Sequence, residues 1–128
     1  MLLVKTKLAA SNIEGLGLFA DEYIPKGTLV QKFVPGFDAE LAAEKVMALP
    51  DVARKEMLHF CYKHKKTSKY ILCADNARFL NHSGAPNLTG EGSQDEIDIA
   101  ARDIEKGEEL TVDYFEFDAE AGLKLQAK

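Results

Sequence analysis

The sequence predicts a β-rich α+β domain, and three observations carry that reading. Glycine and proline punctuate the chain at short intervals, which leaves room for short strands and tight turns. Only residues 38–62 read as helix. Strand-like runs lie on both sides of that segment, without the strand–helix alternation of a doubly wound sheet, so the pattern argues against the common dinucleotide-binding architecture.

Taken in order, residues 2–8 suit a first strand, and Gly15 and Gly17 bracket a turn into Leu18-Phe19-Ala20. Leu29-Val30-Gln31-Lys32-Phe33 is a second β-rich run. Asp38 is expected to cap a helix over Ala39 to Leu49, with Leu41, Ala42, Val46 and Leu49 on one face and Pro50 ending it. Asp51 is expected to cap a second helix from Val52 to about Tyr62. A basic cluster follows, Lys63, His64, Lys65, Lys66 and Lys69, and reads as a solvated loop or a partner patch. Glu91, Asp95, Glu96 and Asp98 make an acidic hairpin tip beside Gly90 and Gly92. Ile97, Ile99 and Ala101 alternate with polar residues, as in a half-buried strand. The tail from Ala119 to Lys128 is weakly amphipathic and reads as a frayed helix.

One short repeat stands out. Ile24-Pro25-Lys26-Gly27 returns eighty positions later as Ile104-Glu105-Lys106-Gly107, each copy opening a β-rich stretch. The offset is too long for a solenoid. Two similar turns before two strands, or coincidence, are the readings left open.

Bulk properties narrow the function. The 128 residues suffice for one domain with one core. Hydrophobic residues make up 46% and charged ones 29%, a globular balance. No apolar run approaches the ~20 residues that span a bilayer, and the first residues lack a signal-peptide pattern, so an intracellular protein is expected. Two cysteines, Cys61 and Cys73, do not make a disulfide scaffold. A net charge of −5 argues against direct nucleic-acid binding and suits a basic partner. His59, Cys61, His64 and Cys73 are metal-ligand types, but His59 and Cys61 two apart on a helix would diverge, so no metal is expected.

Three segments carry chemistry. Glu14-Gly15-Leu16-Gly17-Leu18-Phe19-Ala20 holds two glycines that let a ligand reach the backbone, although alone the pair is commonly a tight turn. Arg78-Phe79-Leu80-Asn81-His82-Ser83-Gly84-Ala85-Pro86-Asn87 presents Asn81, which both donates and accepts. Gly107-Glu108-Glu109-Leu110-Thr111-Val112-Asp113-Tyr114 ends a strand on a tyrosine.

Together and in this order, the three segments resemble the SET-domain protein lysine methyltransferases. The resemblance covers about residues 8 to 117. It implies a β-clip-like fold of short strands with a pseudoknot, in which the Asn-His-Ser segment passes beneath the tyrosine strand. One domain over 1–128 is expected, with a helical insert at about 38–66 and a short tail at about 118–128. It implies methyl transfer from S-adenosyl-L-methionine to a lysine amine of a protein, leaving S-adenosyl-L-homocysteine. A catalytically weak SET-like binding module is the alternative. By the same resemblance, Gly15, Leu16, Gly17, Leu18, Arg78, Asn81 and His82 contact the cofactor, with Asn81 on the methionyl amino end and His82 on adenine through its backbone. Tyr114 is the catalytic residue, and Phe33, Tyr114 and Phe117 line the lysine channel, although Phe33 and Phe117 read equally as core. The family commonly carries cysteine where this chain has Gly84. A lysine-containing protein or basic peptide is the implied partner, and a homodimer is one way to complete a channel under a short tail. The likeness is to small stand-alone SET proteins of bacterial or viral kind, which would place the protein in the cytoplasm if bacterial, with a nuclear or secreted effector role left open.

Overall fold

The computed structural model describes residues 1–90 and 96–126. The tip residues Glu91, Gly92 and Asp95 lie outside the described residues, as does the end of the tail. Strand β1 (Thr6–Ala10) pairs antiparallel with β2 (Leu16–Ala20), Ala10 opposite Leu16. β3 (Leu29–Lys32), β8 (Leu88–Thr89) and β9 (Ile97–Ala100) form a sheet in the order β3-β9-β8. β4 (Ala39–Leu41), β5 (Tyr62–Lys63) and β6 (Tyr70–Leu72) form another, with β6 central. β7 (Asn81–His82) runs parallel to β10 (Thr111–Val112), and Ser83 N extends the pairing to Val112 O at 3.0 Å. That parallel pair lays the Asn-His-Ser segment beside the strand that leads to Tyr114.

The eighty-residue repeat is a structural one. Ile24 and Ile104 exchange backbone hydrogen bonds at 2.9 and 2.8 Å, and both are buried. Gly27 N donates to Ala100 O while Gly107 N donates to Ala20 O, each at 2.8 Å. The two glycines have φ of 86° and 96°, the left-handed region that favours glycine. Ala20 N reaches Glu108 O and Ala100 N reaches Thr28 O, both at 2.9 Å. Each copy therefore closes on the strand of the other, like the two halves of a clasp. Leu18, Val30, Leu88, Leu110 and Val112 pack with the two isoleucines in the main core.

The helical insert is shorter than expected. Ala39–Leu41 is strand, and α1 spans only Ala43–Met47. Asp38 caps no helix. Its carboxylate accepts from Val34 N at 2.8 Å and Ala74 N at 2.9 Å and pairs with the Met1 amine at 3.2 Å. Burial pushes that carboxyl up, but the two backbone donors and the amine outweigh it and hold it below the usual range. Competing donors thus won Asp38 away from a cap. α2 spans Asp51–Phe60 after Pro50, and Asp51 faces Arg54 and Lys55 instead of capping. Val46, Cys61 and Tyr70 form a small second cluster under the insert.

A single 3-10 turn (Asn76–Phe79) precedes β7, capped by the Asp75 carboxylate. The strand expected to end on Tyr114 stops at Val112 instead. Tyr114 opens the short helix α3 (Tyr114–Phe117), capped by Asp113 accepting from Phe115 N at 2.9 Å. The tail forms α4 (Ala121–Gln126). The basic stretch is partly tied down: His64 Nδ1 accepts from Lys66 N and Thr67 N, and its Nε2 lies 3.0 Å from Glu96.

Candidate active site

The site is assembled around the Gly15–Gly17 turn. Ser11 N donates to Gly15 O at 2.8 Å and closes it. Open space surrounds the position where a Cβ on Gly15 would stand. At Gly17 an added Cβ would fall 2.4 Å from Glu109 Oε2, so the close approach that Gly17 permits is to a side chain of this protein. Glu109 accepts from the Ser11 hydroxyl at 2.7 Å and from Asn81 Nδ2 at 2.9 Å. The same Asn81 nitrogen reaches Glu14 O at 3.2 Å and Leu16 O at 3.3 Å. Buried Asn81 is therefore a clamp that fastens the turn to the third chemical segment. Leu16 exposes its side chain, whereas Leu18 is wholly buried in the core.

His82 lies on the other end of β7. Its Nδ1 accepts from Tyr114 N at 3.1 Å, and its ring centroid is 5.3 Å from that of Tyr114. An accepting Nδ1 bears no proton, so the Asp113 carboxylate 3.7 Å away makes no ion pair with it in this arrangement. His82 therefore steers the backbone of Tyr114. Asn87 performs the matching task one strand back: its Oδ1 accepts from Thr111 N at 2.8 Å, and its Nδ2 donates to Glu109 O at 2.8 Å.

Tyr114 donates its hydroxyl proton to Leu80 O at 2.8 Å. Burial, with smaller contributions from Glu14, Asp118 and Glu109, pushes its pKa up to about 12. The phenol stays protonated at neutral pH. It can orient and accept, but it is not a base.

Three cavities lie in this region, and two of them are lined by Tyr114. One of about 350 Å³ is bounded by Glu14 of the glycine turn, Leu58 and His59 of α2, Leu123 and Lys124 of α4, and Tyr114. A second of about 60 Å³ lies under Tyr114, among Leu80, Tyr62, Phe117, Gln31 and Asp98. A third of about 190 Å³ shares Gln31, Tyr62, Asp98 and Phe117 with the second and adds His64, Glu96 and Glu116. Tyr114 borders the first two, and four side chains border the last two. Neighbouring spaces thus share walls in sequence: Tyr114 between the first and second, and Gln31, Tyr62, Asp98 and Phe117 between the second and third.

Phe117 stands edge-on to Tyr62, with centroids 5.0 Å apart, and walls both inner and outer spaces. Phe33, expected to line a channel, borders none of these three cavities. Gln31, two residues earlier, takes that place. Arg78 packs its guanidinium 5.2 Å over the Phe60 ring and 5.5 Å from Phe79, on the inner cavity's wall. The tail also reaches the site. Lys124 pairs with Asp118 at 2.8 Å, donates to Cys61 O and sits 5.8 Å from the Tyr114 ring.

A family model for the SET domain matches residues 15–115, which takes in all three chemical segments. The chain belongs to the SET-domain family. Over 118 residues it is 34% identical to the human histone-lysine N-methyltransferase 2D, covering 88% of this chain and 2% of that protein. It is 33% identical to an H3 lysine-4-specific histone-lysine N-methyltransferase of Chaetomium globosum, over 91% of this chain and 11% of that one. This SET domain thus spans a small part of the length of those relatives. Its backbone also superposes on a solved Polycomb Repressive Complex 2 structure from Chaetomium thermophilum with a TM-score of 0.68, at 21% identity, over 97% of this chain and 17% of that one.

Several residues that build this SET-domain site escaped sequence reasoning. By sequence Asp98 belongs to an acidic hairpin tip and alternates with Ile97 and Ile99. In the fold Asp98 shares a face of β9 with Ala100, which is buried, and turns into the cavities. Its carboxylate accepts from Gln31 Nε2 at 2.9 Å. Burial raises its pKa to about 6 despite that hydrogen bond. Tyr62, at the expected end of the second helix, instead opens β5, and its hydroxyl donates to Glu96 at 2.6 Å. Burial and that carboxylate push the Tyr62 phenol far up. Glu109 had a signal, its place in the Gly-Glu-Glu-Leu run, but nothing local tells that its carboxylate serves a turn ninety residues away.

The cysteines are structural in their surroundings. Burial raises Cys61 to about 11 and Cys73 to about 12. Among the described residues no group of three or more His, Cys, Asp or Glu is placed to share a metal ion. Among them, too, no helix is long and apolar enough to cross a membrane.

Proposed function

We propose that this SET domain transfers a methyl group from S-adenosyl-L-methionine to the side-chain amine of a lysine in a protein. The observation that carries the reading is the position of Tyr114 between two cavities, one opening at the glycine turn and one leading to a separate mouth. Two reactants entering from opposite ends would meet at its hydroxyl, the arrangement an in-line displacement needs. Holding them there can supply up to ~7–11 kcal/mol of barrier reduction.

The residues present fit such a donor. The larger cavity is within the range of small-molecule sites. Glu14 offers a carboxylate to a cation, Leu58 and Leu123 offer apolar walls, and open space surrounds Gly15. When bound, S-adenosyl-L-methionine supplies an electrophilic methyl group on a sulfonium. Asn81 and Glu109 hold the turn that receives it, His82 holds Tyr114, and the Tyr114 hydroxyl, its proton given to Leu80 O, presents oxygen lone pairs. On the other side, Phe117 and Tyr62 wall an aromatic passage suited to an alkylammonium. The relatives named as histone-lysine methyltransferases make a lysine-rich, histone-like chain the substrate class of choice.

Mass spectrometry of core histones after incubation with the donor tests this. New methyl-lysine dependent on Tyr114 is the expected result. A thermal shift with S-adenosyl-L-methionine but no methylated product would replace the reading with a binding module.

A further inference from the structure

We propose that Asp98 is the proton acceptor for the substrate lysine: its carboxylate, standing where the inner and outer cavities join, takes a proton from the incoming ammonium before methyl transfer. The inference rests on the methyltransferase reading above and adds a residue to it.

An amine that arrives as an ammonium has no lone pair and cannot displace anything. Free lysine holds its proton up to a pKa of about 10.4, so the proton must be taken somewhere along the passage. Tyr114 cannot take it, because its phenol is protonated and already donates to Leu80 O. Among the side chains walling the inner cavity, Asp98 is the carboxylate, and it shares that cavity with Tyr114. It also borders the outer cavity, which gives the proton a way out toward solvent.

Its surroundings suit an acceptor. From β3, Gln31 donates at 2.9 Å and fixes one oxygen, while its own carbonyl faces the Cys73 thiol at 3.8 Å. From β5, Tyr62 directs its hydroxyl to Glu96, not to Asp98. From α3, Glu116 repels charge on Asp98, and the chain's terminal amine opposes that effect. His64, Lys65 and Lys66 border the outer cavity and not the inner one, whereas Arg78, His59 and Lys124 border the inner cavity and not the outer one. Arg78 and Lys124 are engaged elsewhere, over Phe60 and with Asp118. The carboxyl's value of about 6 lies near neutrality, where a general base works best. In the step itself, one N–H bond of the ammonium breaks, its electron pair stays on nitrogen, and an O–H bond forms on Asp98. The neutral amine can then attack, and the carboxylic acid returns its proton to water through the outer cavity.

The test compares wild type with Asp98→Asn, which keeps the shape and the Gln31 contact. Single-turnover methylation of core histones is followed from pH 5 to 9. Wild type is expected to rise around pH 6 and level off. The variant is expected to run about 10²-fold slower at pH 7 and to climb tenfold per pH unit, because free hydroxide must then do the work. S-adenosyl-L-homocysteine affinity by calorimetry should not change. Equal rates with equal profiles would overturn the proposal. So would a raised KM with an unchanged kcat profile, which would make Asp98 a mere counter-ion. Should the variant fail to fold, carboxyl-carbon NMR of wild type serves instead. Adding n-butylammonium should lower the Asp98 titration midpoint, and an unmoved midpoint would sink the idea. Absence of methylation by wild type itself would refute the methyltransferase reading, whereas loss confined to the variant cannot.

Discussion

Asn81 Nδ2 lies 2.9 Å from Glu109 Oε2, joining two of the three chemical segments beneath the turn formed by the first. Glu109 also occupies the space that a side chain at Gly17 would need. A polar clamp therefore fastens the glycine turn to the other two segments.

Asn81→Ala removes a buried donor shared among the Ser11 hydroxyl, the Glu14 and Leu16 carbonyls and Glu109. Unpaired buried acceptors cost about 1–3 kcal/mol, so the melting temperature should fall by several degrees. Loosening of the turn should also weaken S-adenosyl-L-homocysteine binding about tenfold by calorimetry. Unchanged affinity would detach Asn81 from the donor site.

Tyr114→Phe deletes one hydrogen bond, to Leu80 O, at a cost of about 1 kcal/mol in unfolding experiments. The ring contacts with His82 and Phe117 remain. Methylation should drop about 10²-fold or more with donor affinity nearly intact. Wild-type turnover in this variant would remove the hydroxyl from the reaction.

Asp98 also shapes stability. Its folded value of about 6 lies above the unfolded value of about 4, so the folded state holds a proton that the unfolded state gives up between those pH values. Stability from this residue is thus greatest in acid and declines as pH rises from about 4 to 6. Asp98→Asn should therefore raise the melting temperature at pH 8 and leave it unchanged at pH 3.5. A gain at low pH with none at high pH would reverse the assignment.

Lys124→Met removes the cation from Asp118 Oδ2, while Oδ1 keeps Lys63 N and Glu120 N. Oδ2 has no directional hydrogen bond and is compensated by the Lys124 ammonium 2.8 Å away. Breaking a buried pair costs about 3 kcal/mol, so the melting point should fall by roughly 10 °C. Because Lys124 walls both the inner and the larger cavity, the tail should detach with it. Protection of the α4 amides against hydrogen exchange would vanish first.

Legibility followed locality. The Leu29–Lys32 and Ile97–Ala100 strands, the Gly15–Gly17 turn and the paired Ile-x-Lys-Gly turns are governed by neighbours in sequence and appear near their expected places, whereas the first strand runs over Thr6–Ala10 and not 2–8. Asp38 went astray because its oxygens found Val34 N and Ala74 N before any helix N-terminus. Asp98 went astray because alternation in β9 assigns two faces without saying which one is covered. β9 is the central strand of its sheet, between β3 and β8, and the face that carries Asp98 and buried Ala100 is the one that meets the cavities.

Residue order alone settled the family and the β-rich class and singled out Tyr114 and Asn81 as candidates, since side-chain type and short spacing are written there. Which carboxylate faces the passage, which glutamate clamps the turn and how far the last helix reaches were decided by folding. Those contacts join positions from twenty-eight to nearly a hundred residues apart, and chain connectivity places no limit on which partner wins.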